Sequence, residues 1–505
     1  MSLTSAIFLP FFLGALIIFY VLPKKTRWFW LLIISLIFFS WSDGWKTLPY
    51  LFYGIVVTYF GARIIQRYES EKKRKTILFL TVFLSLFVLG ALKETNFFIH
   101  LINGTGGLFG ISPGLGMVNI IAPIGISYFT LSLIGYVIDV NRNVCKAQTN
   151  ILKHALFTCY FPQLISGPIL RYGEMENQLF SDHRLDLNNI SYGFTRILWG
   201  FFKKMVIADR LAILVNTVYG DYTNYPGMYI FIATLCYAFQ LYTDFSGCMD
   251  IVLGASEAFG IKLPENFKAP FFSERISEFW RRWHITLGLW FKDYLLYPLL
   301  KGDFLQGVGQ KSKKLFGKKK GKNIPTYLGL SVVWLCVGLW HGGSVKYFFA
   351  SGILPCVYLI SSELLSPFFK RIIEVLKINT ECFSYRLFSR FRTLMLMCLC
   401  WVFVCAQSFT DGLHVLKSMF TTFNPLILVD NSLFTLGLDQ QDIIVVIFGI
   451  LAVMVVDYMI NKEINVRDFL GKQNFAFKCI VVWTQVLFIM FFGIMGASSF
   501  IYFQF

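Results

Sequence analysis

An all-α polytopic membrane protein is the fold class this sequence predicts, and three observations predict it. Hydrophobic residues make up 56% of the 505 and charged residues only 15%, with a mean hydropathy of +0.60. A soluble domain carries about 45–50% apolar and about 25% charged residues. Uncharged apolar runs of about 20 residues recur along the chain, the length that crosses a bilayer as a helix. The basic residues behind the net charge of +17 lie in short runs between these spans. That is the pattern of cytoplasmic loops and not of a nucleic-acid-binding face. About 11–12 crossings in a single domain, residues 1–505, account for the runs, with re-entrant and interfacial helices between them. No repeat, low-complexity linker or soluble domain interrupts them.

Residues 5–22 form the first span. It lacks a basic leader and so reads as retained rather than cleaved. Lys24, Lys25 and Arg27 follow it on the inside. Residues 28–42 and 47–65 make a hairpin that returns to Arg67 and the basic run Glu71–Lys75, and 76–93 crosses again. The Gly/Asn-rich Asn103–Gly116 lies outside, and 117–139 comes back to Arg142. Two prolines and a glycine make FPQLISGPILRY (161–172) a poor spanning helix. Irregular backbone at membrane depth persists only where protein or a cavity covers it. LWGFFKKMVIADRLAILV (198–215) sets Lys203, Lys204, Asp209 and Arg210 in an apolar helix, and YAFQLYTDFSG (237–247) does so with Gln240 and Asp244. Charges so placed face a protein interior or an aqueous path. Residues 150–345 are therefore the expected catalytic core.

Within that core, Phe272–Leu300 reads as one helix. Trp280, Trp283, Leu287, Trp290, Phe291 and Tyr294 share a side at i, i+3, i+7, i+10, i+11 and i+14. Its charge density disfavours a buried span, so the helix is expected at the membrane interface with His284 on the stripe's edge. Seven lysines between Lys311 and Lys322 mark a cytoplasmic loop. Spans follow at 326–342, 346–362, 393–409, 442–460 and 479–499, with 370–392 and 461–478 inside and 410–441 outside. Both termini then fall outside the cytoplasm.

The eleven cysteines sit mostly inside apolar stretches, without metal-ligand spacing; Cys398 and Cys400 point to different sides of a helix. They read as free thiols, with neither a disulfide frame nor a metal site. Of the six histidines, His100, His154, His183 and His414 lie near polar residues and read as loop or surface groups. His341 ends a span sixteen residues from its cytoplasmic start, up to ~24 Å along the helix axis. An intramembrane imidazole between Trp340 and Gly342-Gly343 is a functional candidate, or else a packing group bonded to a neighbouring carbonyl. His284 near the cytosol and His341 deeper place an imidazole toward either end of a passage. Either can take a proton from a hydroxyl that attacks an acyl carbon. No GxSxG, P-loop, HExxH or CxxC offers a competing chemistry.

At these residues the sequence resembles the membrane-bound O-acyltransferase family, and within it the bacterial alginate and peptidoglycan O-acetyltransferase membrane subunits. The matching segments are PIGISYFTLSLIGYVIDVNR (123–142), FPQLISGPILRY, FFKKMVIADRLA (201–212), YTDFSGCMDIVLG (242–254), PENFKAPFFSERISEFWRRWHITLGLWFKDYLLYPL (264–299), GLWHGG (338–343) and FIYFQF (500–505). The resemblance implies helices around a central tunnel, where a cytosolic acyl donor meets an extracytoplasmic acceptor. It makes His341 the histidine of the WHG motif and His284 that of the RRWH motif. One departure stands out: after GLWHG the family continues with small and aromatic residues, whereas here the run is Gly343-Ser344-Val345-Lys346.

An O-acetyltransferase of the bacterial cytoplasmic membrane is therefore expected, acting on an extracytoplasmic polysaccharide such as peptidoglycan or alginate. Acetyl-CoA is the expected donor substrate, with no bound cofactor. Arg281, Arg282, Lys203, Lys204 and the lysine loop would attract its phosphates, although topology alone also accounts for the loop. Trp340, Asp244 and Asp293 are further candidates, the two carboxylates as orienting groups. The resemblance also implies an SGNH-hydrolase-like partner outside the cytoplasm that passes the acetyl group on. Two alternatives stay open, D-alanyl transfer to teichoic acid and a transporter or flippase lined by the same charges.

Overall fold

The computed structural model describes residues 1–108, 114–120, 122–496 and 500–501. Among them every regular element is a helix, and the β-type pairing is one isolated bridge between Phe267 and Trp283. Among the described residues, seven helices are long and apolar enough to cross a membrane: Trp45–Arg67, Glu71–Lys93, Ile324–His341, Val345–Leu364, Phe383–Cys405, Gln440–Asn461 and Phe475–Phe492. Two shorter apolar helices, Phe8–Val21 and Ile126–Asn141, fall on the first and fifth expected spans. The protein is thus an all-α polytopic membrane protein. Residues 109–113 of the expected outer loop, 121 and 497–499 of two expected spans, and 502–505 of the closing motif lie outside the described residues.

Some boundaries differ from expectation. The basic stretch 370–392 is largely helical, because Phe383–Cys405 begins well before its apolar run and takes Arg386, Arg390 and Arg392 into its first turns. The outer segment 410–441 holds the helix Phe409–Thr421, capped by the Ser408 hydroxyl, which accepts from the Asp411 amide.

The chain divides into two compact units. The first comprises Met1–Val206, Thr243–Glu265 and Leu470–Phe505. Its core is aromatic: Phe161 meets Phe11, Phe38 and Phe259 at ring distances of 5.9, 5.5 and 5.9 Å. The irregular 161–170 segment is buried throughout, as uncovered backbone in lipid would be costly. The helix Leu187–Phe201 lies against residues 243–258 through glycines seven apart on each side. A Cβ on Gly193 would come 2.5 Å from the Gly254 carbonyl oxygen, and one on Gly200 2.6 Å from that of Gly247. That closeness lets side chains between the glycines pair across the contact.

His154 corrects an expectation. It is fully buried in this unit, with Nε2 3.0 Å from the Thr58 hydroxyl and its ring 4.7 Å from that of Tyr136. Polar neighbours in sequence had pointed to the surface, but the helix Ile151–Cys159 turns this side chain inward.

The second unit comprises Ile207–Tyr242 and Asn266–Phe469. It contains an antiparallel helical hairpin of Ile324–His341 and Val345–Leu364. The two helical arms of the hairpin approach each other from turn to base. A Cβ on Gly338 would meet the Phe348 carbonyl at 3.0 Å, Cys356 Sγ lies 3.6 Å from the Ser331 hydroxyl, and Asn323 Nδ2 donates to Glu363 at 2.8 Å. His341 is at the turn, and the lysine-rich segment is at the base.

Candidate active site

His341 ends its helix because Gly342 follows with φ 149° and Gly343 continues the turn. The Trp340 ring stands edge-on to the His341 ring, with centroids 4.9 Å apart, and meets the His284 ring at 5.7 Å. Both histidines therefore share one location in the second unit. The expectation of an imidazole toward either end of a passage is corrected: His284 is brought beside the turn that carries His341.

His284 reaches that position through a break in the segment Phe272–Leu300, which is not one helix. Ile276–Arg282 stops at an extended Trp283, and Ile285–Phe291 starts after it. A wide turn, Lys292–Leu296, and the short helix Tyr297–Lys301 complete the run. Between the first two pieces His284 has left-handed backbone, φ 48° and ψ 51°. A non-glycine residue holds that conformation only where its surroundings impose it. Here Asn266 imposes it. Its carbonyl accepts from the Ile285 amide at 3.0 Å, and its Oδ1 accepts from the Thr286 amide at 3.0 Å and hydroxyl at 2.8 Å. The Lys268 amide donates to the Arg282 carbonyl beside the Phe267–Trp283 bridge. Periodicity found the aromatic stripe, most of which is buried. It missed the break because the competing acceptors come from Asn266, in the preceding PENF segment.

His284 is 3% exposed, so it is no edge residue. Burial lowers its pKa well below 6.5, and His341 acts in the same direction. The imidazole is held neutral, the form that accepts a proton. In the same segment, Trp280 packs on Trp334 at 4.8 Å, and Trp283, the residue before His284, packs on Trp401 at 5.5 Å.

The other predicted residues divide. Arg282 donates to Asn461 Oδ1 at 2.8 Å and pairs with Glu278 at 2.7 Å, whereas Arg281 is exposed. Asp293 is half-buried in the wide turn after Phe291. Lys203, Lys204 and Asp244 belong to the first unit. Lys204 pairs with Asp244 at 2.6 Å with both side chains 1% exposed, and Asp244 also accepts from the Ile501 amide at 2.9 Å. Lys203 donates to Ser246 at 2.9 Å and pairs with Asp250, which Arg196 contacts at 2.9 Å. These lysines already face carboxylates, which the expectation of free phosphate-binding ammonium groups did not foresee.

Lys346, the departure after the histidine turn, has a structural account. Its ammonium donates to the carbonyls of Ala406 at 2.6 Å and Val404 at 3.3 Å, at the C-terminal end of Phe383–Cys405. A cation there meets unsatisfied carbonyls and the negative end of the helix dipole. Asp457 is a further buried group that sequence reasoning passed over, inside the span Gln440–Asn461; it accepts from the Tyr242 hydroxyl at 2.9 and 2.8 Å. Its signal was a lone carboxylate in an apolar run.

Comparison with known proteins adds independent findings. The sequence profile of the membrane-bound O-acyltransferase family (MBOAT) matches residues 140–409. The chain is 33% identical to a probable alginate O-acetylase of Pseudomonas syringae pv. tomato over 82% of this chain and 72% of the relative. To the peptidoglycan O-acetyltransferase of Helicobacter pylori it is 31% identical, over 77% of this chain and 73% of the relative. A teichoic acid D-alanyltransferase of Streptococcus thermophilus is 28% identical over 63% of this chain and 71% of its own length.

Proposed function

This chain belongs to the membrane-bound O-acyltransferase family, and from that premise we propose that it moves an acetyl group from cytosolic acetyl-CoA to O-acetylate an extracytoplasmic polysaccharide. The observation that carries the reading is the meeting of His284, Trp340 and His341 at the hairpin turn. Relatives named as O-acetyltransferases of alginate and peptidoglycan support acetyl as the group moved. In the reaction, the acceptor oxygen bonds to the thioester carbonyl carbon while His341 takes the hydroxyl proton. The carbon–sulfur bond then breaks, and the proton goes to the departing thiolate, so an ester and free coenzyme A result. His284, neutral and buried, positions the thioester beside the tryptophans. Arg281 contributes attraction for the donor's phosphates. The immediate acceptor is a hydroxyl of an SGNH-hydrolase-like partner outside the cytoplasm, which passes the acetyl group to the polysaccharide.

The test is coenzyme A release and acetyl transfer by purified protein in liposomes. His341→Ala is expected to lose roughly 10²–10⁴ in rate, the usual share of general acid–base catalysis. His341→Gln stays inactive, since an amide bonds but takes no proton. His183→Ala serves as the control and stays active. A monodisperse His341→Ala protein with near-normal transfer removes His341 from the chemistry. If the wild type moves substrate across the bilayer without releasing coenzyme A, it is a transporter. Transfer only from a D-alanyl carrier identifies the teichoic acid reaction instead.

A further inference from the structure

The helix Asp303–Gly321 precedes the base of the helical hairpin Ile324–Leu364, and the helix Ser366–Val375 follows it. The Asn323–Glu363 hydrogen bond joins the hairpin's two ends there, so both helices leave the same end of the second unit. The first helix carries the lysine run and does not let it extend. It kinks at Gly317, where φ is 78°, and the chain folds back so that the Ser312 hydroxyl donates to the Gly321 carbonyl at 2.8 Å. The fold thereby crowds Lys318–Lys320 toward Lys311–Lys314. All seven lysines from Lys311 to Lys322 are exposed, and among the described residues no carboxylate pairs with any of them. Like charges gathered this way repel one another unless a polyanionic surface faces them.

Large apolar side chains on the same two helices are also exposed: Phe304 at 79%, Leu315 at 77% and Phe316 at 60%, then Phe368 at 60% and Phe369 at 51%. Lys370 and Arg371 are exposed beside the latter pair. An acidic soluble partner would explain the lysines but not five uncovered apolar groups among them. Helices that are basic and apolar together suit the boundary between headgroups and acyl chains. We propose that these two helices form a docking surface for anionic phospholipid headgroups of the leaflet from which the hairpin starts. The lysines engage the phosphates, and the aromatic side chains enter the acyl boundary.

The full-length protein is exchanged into mixed micelles of equal phosphatidylglycerol and phosphatidylcholine, and the lipid that co-elutes with monodisperse protein is quantified. The wild type is expected to enrich phosphatidylglycerol roughly fivefold, the effect of about one well-placed lysine contact. The preference should vanish at 1 M salt, where screening shortens to about 3 Å. Replacing all seven lysines from Lys311 to Lys322 by Gln should bring enrichment below about twofold. A variant with the same charge change elsewhere, with Lys24, Lys25, Lys46, Lys72, Lys73, Lys417 and Lys472 replaced by Gln, should keep it. Equal loss in both variants reduces the effect to net charge and overturns the proposal, as does undiminished enrichment in the first. If the first variant does not fold, the salt series on the wild type decides: a preference that persists at 1 M salt overturns it. A wild type without lipid preference that retains an acidic protein assigns the surface to that protein instead.

Discussion

At the scale of single residues, the two arginines of the RRWH motif separate into different tasks. Arg282 is committed to Glu278 and Asn461, and Arg281 is exposed. Arg281→Ala is expected to raise the KM for acetyl-CoA severalfold at nearly constant kcat, the mark of lost ground-state attraction. Arg282→Ala should instead lower the melting temperature, with KM little changed; the reverse pattern in steady-state kinetics exchanges the assignments. His284 gives a dependence on pH. Its folded pKa lies well below the 6.5 of the free group because of burial, with His341 adding to the shift. The neutral form's contribution is fully present above about 6.5 and is lost as pH falls through and below that value. Thermal unfolding in detergent should therefore show stability declining on acidification from pH 7 to 5. His284→Gln, which never titrates, should flatten that decline.

Helices and their joints show where sequence and structure part. Unbroken apolar runs made the long spans legible, because a helix in lipid satisfies its own backbone and needs such a run. The helical periodicity of Phe272–Leu300 ran through Trp283–His284 without registering a break, since the acceptors that replace the helical ones belong to Asn266. Asn266→Ala leaves the Thr286 amide and hydroxyl without that acceptor. It should cost about 1–3 kcal/mol in stability and reduce transfer by releasing His284 from its left-handed conformation. A variant with full activity would show that the break forms without this side chain. In the wide turn Phe202–Ala208 that continues Leu187–Phe201, breaking the Lys204–Asp244 pair with Lys204→Met should cost roughly 3–5 kcal/mol, because an uncompensated buried carboxylate remains. Adding Asp244→Leu should recover much of that loss, as read by thermal unfolding. The charges of this pair were visible in the sequence as a polar path. Their mutual neutralisation rests on a close backbone approach at Gly247, where a Cβ would come 3.3 Å from the Lys204 amide nitrogen, a nearness that apolar patterning does not weigh.

For the whole molecule, alternation of apolar runs with basic segments was enough to recognise a multi-pass membrane protein, and the motifs were enough to recognise the family. The meeting of His284 with the His341 turn was not readable, because it depends on how a broken segment lies against a hairpin turn 57 residues further along the chain. Topology remains open to a direct test. A cysteine introduced at Lys319 should be labelled by a membrane-impermeant maleimide only after the cytoplasmic face is opened, and one at Lys46 in intact cells. Labelling of the Lys319 position from outside would invert the map. If the lysines do hold their end of the hairpin inside, biosynthesis acquires an order. The ribosome makes the anchoring charges before Ile324–His341 and makes the returning Val345–Leu364 only afterwards. His341 is then carried toward the far face at the tip of a loop whose starting end is already fixed, so the orientation of its imidazole is decided before the rest of its surroundings has been translated.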